Sequence, residues 1–373
     1  MKKIALVFGT RPEVIKIAPL YLELKKSKKF KPILINTGQH KEMVAGMLAW
    51  FGIEEDFNLK LMQENQTLES ITARVIESIS ELFRKVKPDM VLVEGDTVSV
   101  MAASIAAFYL KIPVVHLEAG LRTDEMYNPF PEEMARRIVS RIASVHLAPT
   151  DRSVANLKKE NITKNVFNTG NTVIDALFYT TTQLSKKYNK IAPMYVPGLD
   201  FDKSRVILVT MHRRENFGKS HRDIAKTLVK IVDKFPDTAI LLPLHLNPNV
   251  RSVIQPVLKG HKRIFLIEPP AYVPFVYAMQ NSCLILTDSG GVQEEAPSLG
   301  KPVLVLRTNT ERPEGVSAGS AKLVGVNPET IFKEASKLLT NKKAYNKMAK
   351  TKNPYGDGKA SKRIVKILDV LLK

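Results

Sequence analysis

The run Lys2-Lys3-Ile4-Ala5-Leu6-Val7-Phe8-Gly9-Thr10-Arg11-Pro12-Glu13 poses the first structural choice in the chain. Two lysines followed by apolar residues have the polarity of a secretion signal. The apolar stretch Ile4–Phe8 is too short for one, and Arg11 and Glu13 follow at once. It therefore reads as a β-strand ending in a turn, with Pro12 where a first helical turn accepts it. The same theme recurs throughout. Short β-rich apolar runs alternate with helical patterns, the signature of parallel α/β layers.

In the first half, strands are expected at Ile4–Phe8, Ile33–Asn36, Met90–Val93, Val114–Leu117, Val145–Ala148 and Val166–Asn168. Helices are expected between them, for example Leu68–Val86 and Val98–Leu110. Residues 186–204 hold Pro193, Pro197 and Gly198 with scattered charge and no period, so they read as a linker. The alternation then resumes with strands at Val206–Thr210, Ala239–Leu242, Ile264–Ile267, Leu284–Thr287, Val303–Leu306 and Leu323–Val326. The tail from Ala360 places Ile364, Ile367, Leu368 and Leu371 on one helical face, which predicts docking on a core. The expected plan is an α/β protein of two Rossmann-like domains facing each other across a cleft. Residues 1–185 form one domain, 186–204 the linker, 205–355 the other domain, and 356–373 the returning helix. Ligands of such a fold sit at the carboxyl ends of strands.

Composition narrows the function. At 373 residues and 44% hydrophobic content the chain can bury two ordinary cores, and 25% charge argues against disorder. No apolar run approaches the roughly 18 to 20 residues that span a bilayer. The lone Cys283 excludes an internal disulfide, fits a reducing cytoplasm, and has the apolar neighbours of a buried strand residue. A formal net charge of +19 suits either a Lys-rich solvated surface or a polyanion partner. Basic clusters such as Lys25-Lys26-Ser27-Lys28-Lys29 lack interleaved aromatics, so nucleic acid is not the expected partner.

The charged residues that follow strands carry the chemistry. Gly9–Glu13 is either a plain strand–helix turn or an anion site at a helix start, with Arg11 and Lys16 adding charge. There is no G-x-G-x-x-G, and Gly218-Lys219-Ser220 fails as a P-loop because Arg213 stands where its first glycine would fall. Acids follow in Glu94-Gly95-Asp96-Thr97, in His116-Leu117-Glu118-Ala119-Gly120-Leu121-Arg122-Thr123 and in Pro129-Phe130-Pro131-Glu132-Glu133. Asp96 can cap the helix that begins near Val98, and Glu132 can answer a helix dipole. Glu118 has the weakest structural explanation. Three such carboxylates in one half-domain point to acid–base work, and they lack metal-ligand spacing. In the second half, Met211-His212-Arg213-Arg214-Glu215-Asn216 suits a pyrophosphate, or a histidine satisfied by backbone beside surface arginines. Thr287-Asp288-Ser289-Gly290-Gly291-Val292-Gln293-Glu294-Glu295-Ala296-Pro297 exposes backbone N–H groups for phosphate and sets Glu295 near ribose hydroxyls. Phe275 can cover a flat base or simply join the core.

Together with His245-Leu246-Asn247-Pro248, Thr310–Glu314 and Asn353–Gly358, these segments resemble the non-hydrolysing UDP-N-acetylglucosamine 2-epimerases over nearly the whole chain. The resemblance implies a GT-B-like fold, usually in a homodimer, reversible epimerisation at C2 of UDP-GlcNAc to UDP-ManNAc for polysaccharide precursors, and neither NAD nor a catalytic metal. It implies UDP contacts at Arg11, Lys16, His212, Arg213, Phe275, Ser289, Gly290, Gly291, Glu295 and Arg312. Asp96, Glu118 and Glu132 would be the acid–base groups, with His212 a proton donor at the phosphate. Pro270 stands where bacterial members carry a glutamine for the base edge. Many relatives bind a second, activating UDP-GlcNAc; Gln39, Glu132 or Glu133, Arg213 and His245 fit that site, and Glu42 and Asn65 stand at it as departures. Glu42 replaces a glutamine there and Asn65 an arginine, so weaker activation is expected. A hydrolysing relative that releases ManNAc, a GT-B glycosyltransferase and a nucleotide-sugar-binding regulator are the competing readings.

Overall fold

The protein is described from a computed structural model covering residues 1–39, 42–63, 66–187 and 194–372. It divides into two compact units, one of residues 1–176 with 355–373 and one of residues 177–354. The first unit holds β1 (Lys2–Phe8), β2 (Phe30–Asn36), β3 (Phe57–Asn58), β4 (Met90–Glu94), β5 (Val114–Leu117), β6 (Val145–Ala148) and β7 (Val166–Asn168). All pair in parallel, in the order β3-β2-β1-β4-β5-β6-β7. Residues 4 to 8 of β1 are buried throughout, as a strand covered on both faces by helices must be.

The second unit holds β8 (Arg205–Thr210), β9 (Thr238–Pro243), β10 (Ile264–Ile267), β11 (Leu284–Thr287), β12 (Val303–Val305) and β13 (Ala321–Leu323). Its parallel order is β10-β9-β8-β11-β12-β13. In each sheet the strand order reverses once, at β1/β4 and at β8/β11. Those two reversals are where parallel α/β sheets open a crevice for ligand.

Helices cover the sheets by ordinary periodicity. Along Leu68–Val86, Ile71, Val75, Ile79, Leu82 and Phe83 recur at three- and four-residue spacing and enter the first core beside Val7, Ile35 and Val93. In the second unit Ile224, Leu228, Ile231 and Val232 do the same against Ile207 and Val209. The helix Ala360–Leu371 lies against Arg11–Lys25 and buries Ile364 and Leu368 completely.

Two strand expectations need correction. The last strand is Ala321–Leu323 and not Leu323–Val326. The ladder gains only one more bond, from Val324 N–H to the Val305 carbonyl, before Gly325 turns the chain at φ 65°. The edge strand β3 was not expected, because its two exposed residues present no apolar run. In the stretch 186–204, the helix Thr172–Lys187 covers the first two positions, residues 188–193 lie outside the described residues, and 194–204 form neither helix nor strand.

Candidate active site

At the β1/β4 reversal the turns are built on one buried carboxylate. Glu13 Oε2 accepts the N–H groups of Gly9 (2.6 Å) and Thr10 (3.0 Å), which would otherwise be orphaned at the start of the helix Arg11–Lys25. Its Oε1 accepts the Thr97 hydroxyl at 2.8 Å, tying this turn to the one after β4. Burial pushes the Glu13 carboxyl above its ordinary range against these hydrogen bonds. Gly9 is required by close approach: a Cβ there would collide with the Thr37 hydroxyl.

One turn further along that helix, Lys16 meets two acids. Its ammonium stands 3.0 Å from Glu94 Oε1 and hydrogen-bonds Glu118 Oε2. Glu94 and Glu118 are both buried, and Lys16 is largely so. Burial raises the Glu94 carboxyl well above the usual range, Lys16 opposes this, and the neighbouring Glu118 adds to it. Glu118 itself sits at φ 65°, a left-handed conformation uncommon for a residue with a side chain. Gly120 follows at φ 89° and passes so near the Ser153 carbonyl that no side chain fits.

Asp96 does not cap the helix Val98–Tyr109. Thr97 does, accepting the Val100 N–H. The Asp96 carboxylate is left for Arg136, whose Nε (2.8 Å) and Nη2 (2.7 Å) both reach Oδ2. Arg136 also bonds the fully buried Glu133, which takes Arg137 and the Thr123 N–H as well. Glu132, one residue earlier at the first position of the helix Glu132–Ile142, points elsewhere. Its Oε2 is buried with no hydrogen-bond partner among the described residues. Beneath these acids, His116 Nε2 donates to the Gly95 carbonyl at 2.8 Å, and burial lowers its ring to about 4.

At the β8/β11 reversal of the second unit the organising group is Asp288, fully buried. Its Oδ2 accepts the N–H groups of His212 and Arg213, both at 2.8 Å, and Oδ1 lies 2.9 Å from His212 Nδ1. Burial works to raise Asp288, but the His212 and Arg213 contacts outweigh it and hold the carboxyl below its usual range. His212 stacks on His245, ring centroids 5.8 Å apart. Ser289 precedes the helix Gly290–Glu295, and the Arg312 guanidinium lies over Gly290 while bonding Glu294. Glu295 is buried against Tyr272, whose hydroxyl is raised well above its range by burial and by the Glu295 charge. Phe275 is half-buried near the start of the helix Tyr272–Asn281.

Asp96, Glu118, Lys16 and Arg11 thus gather around one reversal, and His212, Arg213, Ser289, Gly290, Gly291 and Arg312 around the other. Lys16, expected at a diphosphate, meets Glu94 and Glu118 here. Glu133, expected at a second ligand site, is fully buried and bonded to Arg136, Arg137 and the Thr123 N–H. Gln39 accepts the Ser99 hydroxyl at 3.2 Å and His245 is exposed, whereas Asn65 and the Glu42 side chain lie outside the described residues. Glu13, Glu94, Arg136 and Asp288 were missing from the expected site. Glu13, Glu94 and Asp288 stand inside the quoted motifs. Arg136, 40 residues from Asp96, gives no local signal.

Two parallel-sheet α/β units, each with charged groups gathered where its strand order reverses, define the GT-B-like class of nucleotide-handling enzymes. The chain belongs to the UDP-N-acetylglucosamine 2-epimerase family, whose sequence profile matches residues 22–369. It is 49% identical to UDP-N-acetylglucosamine 2-epimerase of Neisseria meningitidis over 98% of this chain and 99% of that one. The crystal structure of the Neisseria meningitidis enzyme bound to UDP-GlcNAc matches with a TM-score of 0.90 at 48% identity, covering 100% of both chains. The Methanocaldococcus jannaschii UDP-GlcNAc 2-epimerase in complex with UDP-GlcNAc and UDP matches with a TM-score of 0.79 at 35% identity, covering 99% of both. The chain is accordingly an isomerase of nucleotide sugars. No described helix is long and apolar enough to cross a membrane.

Proposed function

We propose that this enzyme inverts C2 of UDP-GlcNAc without hydrolysis, by eliminating UDP to a 2-acetamidoglucal and adding it back after a proton arrives on the opposite face. The observation that supports this most is the acid set Asp96, Glu118 and Glu132, each in a different setting: clamped by Arg136, bonded to Lys16, and with one oxygen unpaired. The C2 proton is not adjacent to a carbonyl, so it becomes acidic only as UDP departs from C1 and oxocarbenium character builds. Taking that proton and returning one from the other side requires two differently placed groups. His212, Arg213, Arg312 and the Ser289–Gly291 backbone serve the leaving diphosphate, and Glu295 and Phe275 the nucleoside.

Conversion in D₂O, followed by NMR, tests the reading. UDP-GlcNAc is expected to give a mixture with UDP-ManNAc, carrying deuterium at C2 of both. Retention of the original C2 hydrogen would exclude elimination, and accumulation of free ManNAc with UDP would favour the hydrolysing reaction. Transfer of the sugar to an added acceptor would indicate a glycosyltransferase. We further assign the enzyme to the cytoplasm as a homodimer, which sedimentation of the purified chain tests. Gln39, Arg213 and His245 are assigned to a second UDP-GlcNAc, with weaker activation than in relatives. Starting from pure UDP-ManNAc, full rescue by traces of UDP-GlcNAc would contradict that weakening.

A further inference from the structure

Lys16, Glu94 and Glu118 form a buried group of two acids and one base. With both carboxyls ionised it would carry a net charge of −1 away from water, and one added proton makes it neutral. The charged groups facing Glu94 are Lys16 and Glu13, from the helix after β1, and Glu118, from the turn after β5. The two contacts of Lys16 are unequal. Lys16 makes a hydrogen bond with Glu118, while its 3.0 Å approach to Glu94 Oε1 is an ionic contact without hydrogen-bonding geometry. Glu94 is also the more buried of the two acids, at 1% exposure against 7%.

We propose that Glu94 is a positioning residue that keeps a proton shared with Glu118, so that Glu118 meets the substrate as the ionised member of the pair. This rests on the acid–base role of Glu118 proposed above. The direction of the Glu94 shift, upward through burial, supports it. When Glu118 takes a proton from C2, the group holds two protons and gains a charge of +1, opposite in sign to the charge growing on the departing diphosphate. Returning that proton restores neutrality. Glu94 never touches the sugar; it sets the charge state in which Glu118 waits.

The test compares wild type, Glu94→Gln and Glu94→Ala. A glutamine imitates a protonated carboxyl in shape and in its N–H donor, but it cannot lose a proton. Infrared spectra of the wild type near neutral pH are expected to show the carbonyl stretch of a protonated buried carboxyl, and Glu94→Gln to lose it. Glu94→Gln is expected to lower kcat by less than about tenfold while the alkaline limb of its kcat–pH profile disappears. Glu94→Ala is expected to lose about 10²-fold or more, the scale of acid–base catalysis. A loss of about 10²-fold in Glu94→Gln at every pH, with UDP affinity intact, would show that the Glu94 charge is required and overturn the proposal. So would an infrared band that survives the substitution. The band reads the proton without turnover, so it still decides the matter if the wild type fails to epimerise UDP-GlcNAc.

Discussion

Asp288 grips His212 twice, accepting its backbone N–H at 2.8 Å on one oxygen and facing its Nδ1 at 2.9 Å with the other. Backbone and ring of the same residue are thus set by one buried carboxylate, which directs Nε2 away from Asp288. Asp288→Asn keeps the shape but gives up the charge and one acceptor. Each charge-assisted hydrogen bond contributes about 1.5 to 3 kcal/mol, so UDP affinity is expected to fall by about tenfold or more. Calorimetric titration with UDP measures it. Unchanged affinity with normal folding would show that Asp288 serves the turn alone.

Asp96 depends in the same way on Arg136, which reaches its Oδ2 through two nitrogens. Asp96→Asn, Glu118→Gln and Glu132→Gln are each expected to lower turnover by about 10²-fold or more, with little change in UDP affinity. Arg136→Met should follow Asp96→Asn, because a loose carboxylate is a poorly aimed one. Arg136 also neutralises the enclosed Glu133, so this variant should lose stability as well. The two effects separate by assaying at low temperature where the variant stays folded. Full turnover there would count against a positioning role.

His116 and His146 sit opposite each other on β5 and β6, both buried, and burial lowers each ring to about 4. The unfolded chain titrates near 6.5, so between there and about 4 it binds protons that the folded chain refuses. Stability is therefore complete above about pH 6.5, falls as the pH drops, and stops falling from this cause below about 4. For His116 alone the loss reaches about 3 kcal/mol, from about 2.5 pH units at 1.36 kcal/mol each. Urea midpoints across that range measure it. His146→Gln removes one of the two ionisations and should flatten the slope, whatever it does to stability near neutrality. An unaltered slope would place the acid sensitivity elsewhere.

What was legible in the sequence depended on how local the cause was. Strands such as Val114–Leu117 and Leu284–Thr287 announce themselves because burial on both faces demands an unbroken apolar run. The turns after β1, β4 and β11 were legible for a similar reason, since glycines and acids stand side by side there. Where two residues could perform one task the sequence alone did not separate them. Asp96 and Thr97 are both good caps, and only the reach of Arg136 from another helix shows why Thr97 takes the role. Lys16 likewise has a phosphate-binding neighbourhood in sequence. In space it is met by two acids, 78 and 102 residues away. Pairings over such distances follow from strand order, which local patterns do not encode.

The end of the chain offers the clearest case of remote support. The helix Ala360–Leu371 has no side-chain cap of its own, since Lys359 precedes it and accepts nothing. Its first N–H groups would be orphaned in a buried setting, because Ala360 and Ser361 are both enclosed. Asp175 supplies the missing acceptors from 185 residues away, taking the Ala360 N–H at 3.1 Å and the Ser361 N–H at 2.8 Å. Asp175→Ala removes both bonds and leaves two buried donors unpaired, while Asp175→Asn keeps one acceptor oxygen. Loss of a cap costs about 0.5 to 2 kcal/mol, and buried unpaired donors add to it, so Asp175→Ala is expected near or above the top of that range. Asp175→Asn should cost less. The helix buries Ile364 and Leu368, so its release should also quicken amide exchange in the opposing helix Arg11–Lys25. Thermal unfolding and hydrogen exchange together decide it. A Tm for Asp175→Ala equal to that of the wild type would mean that the apolar face alone holds the helix in place.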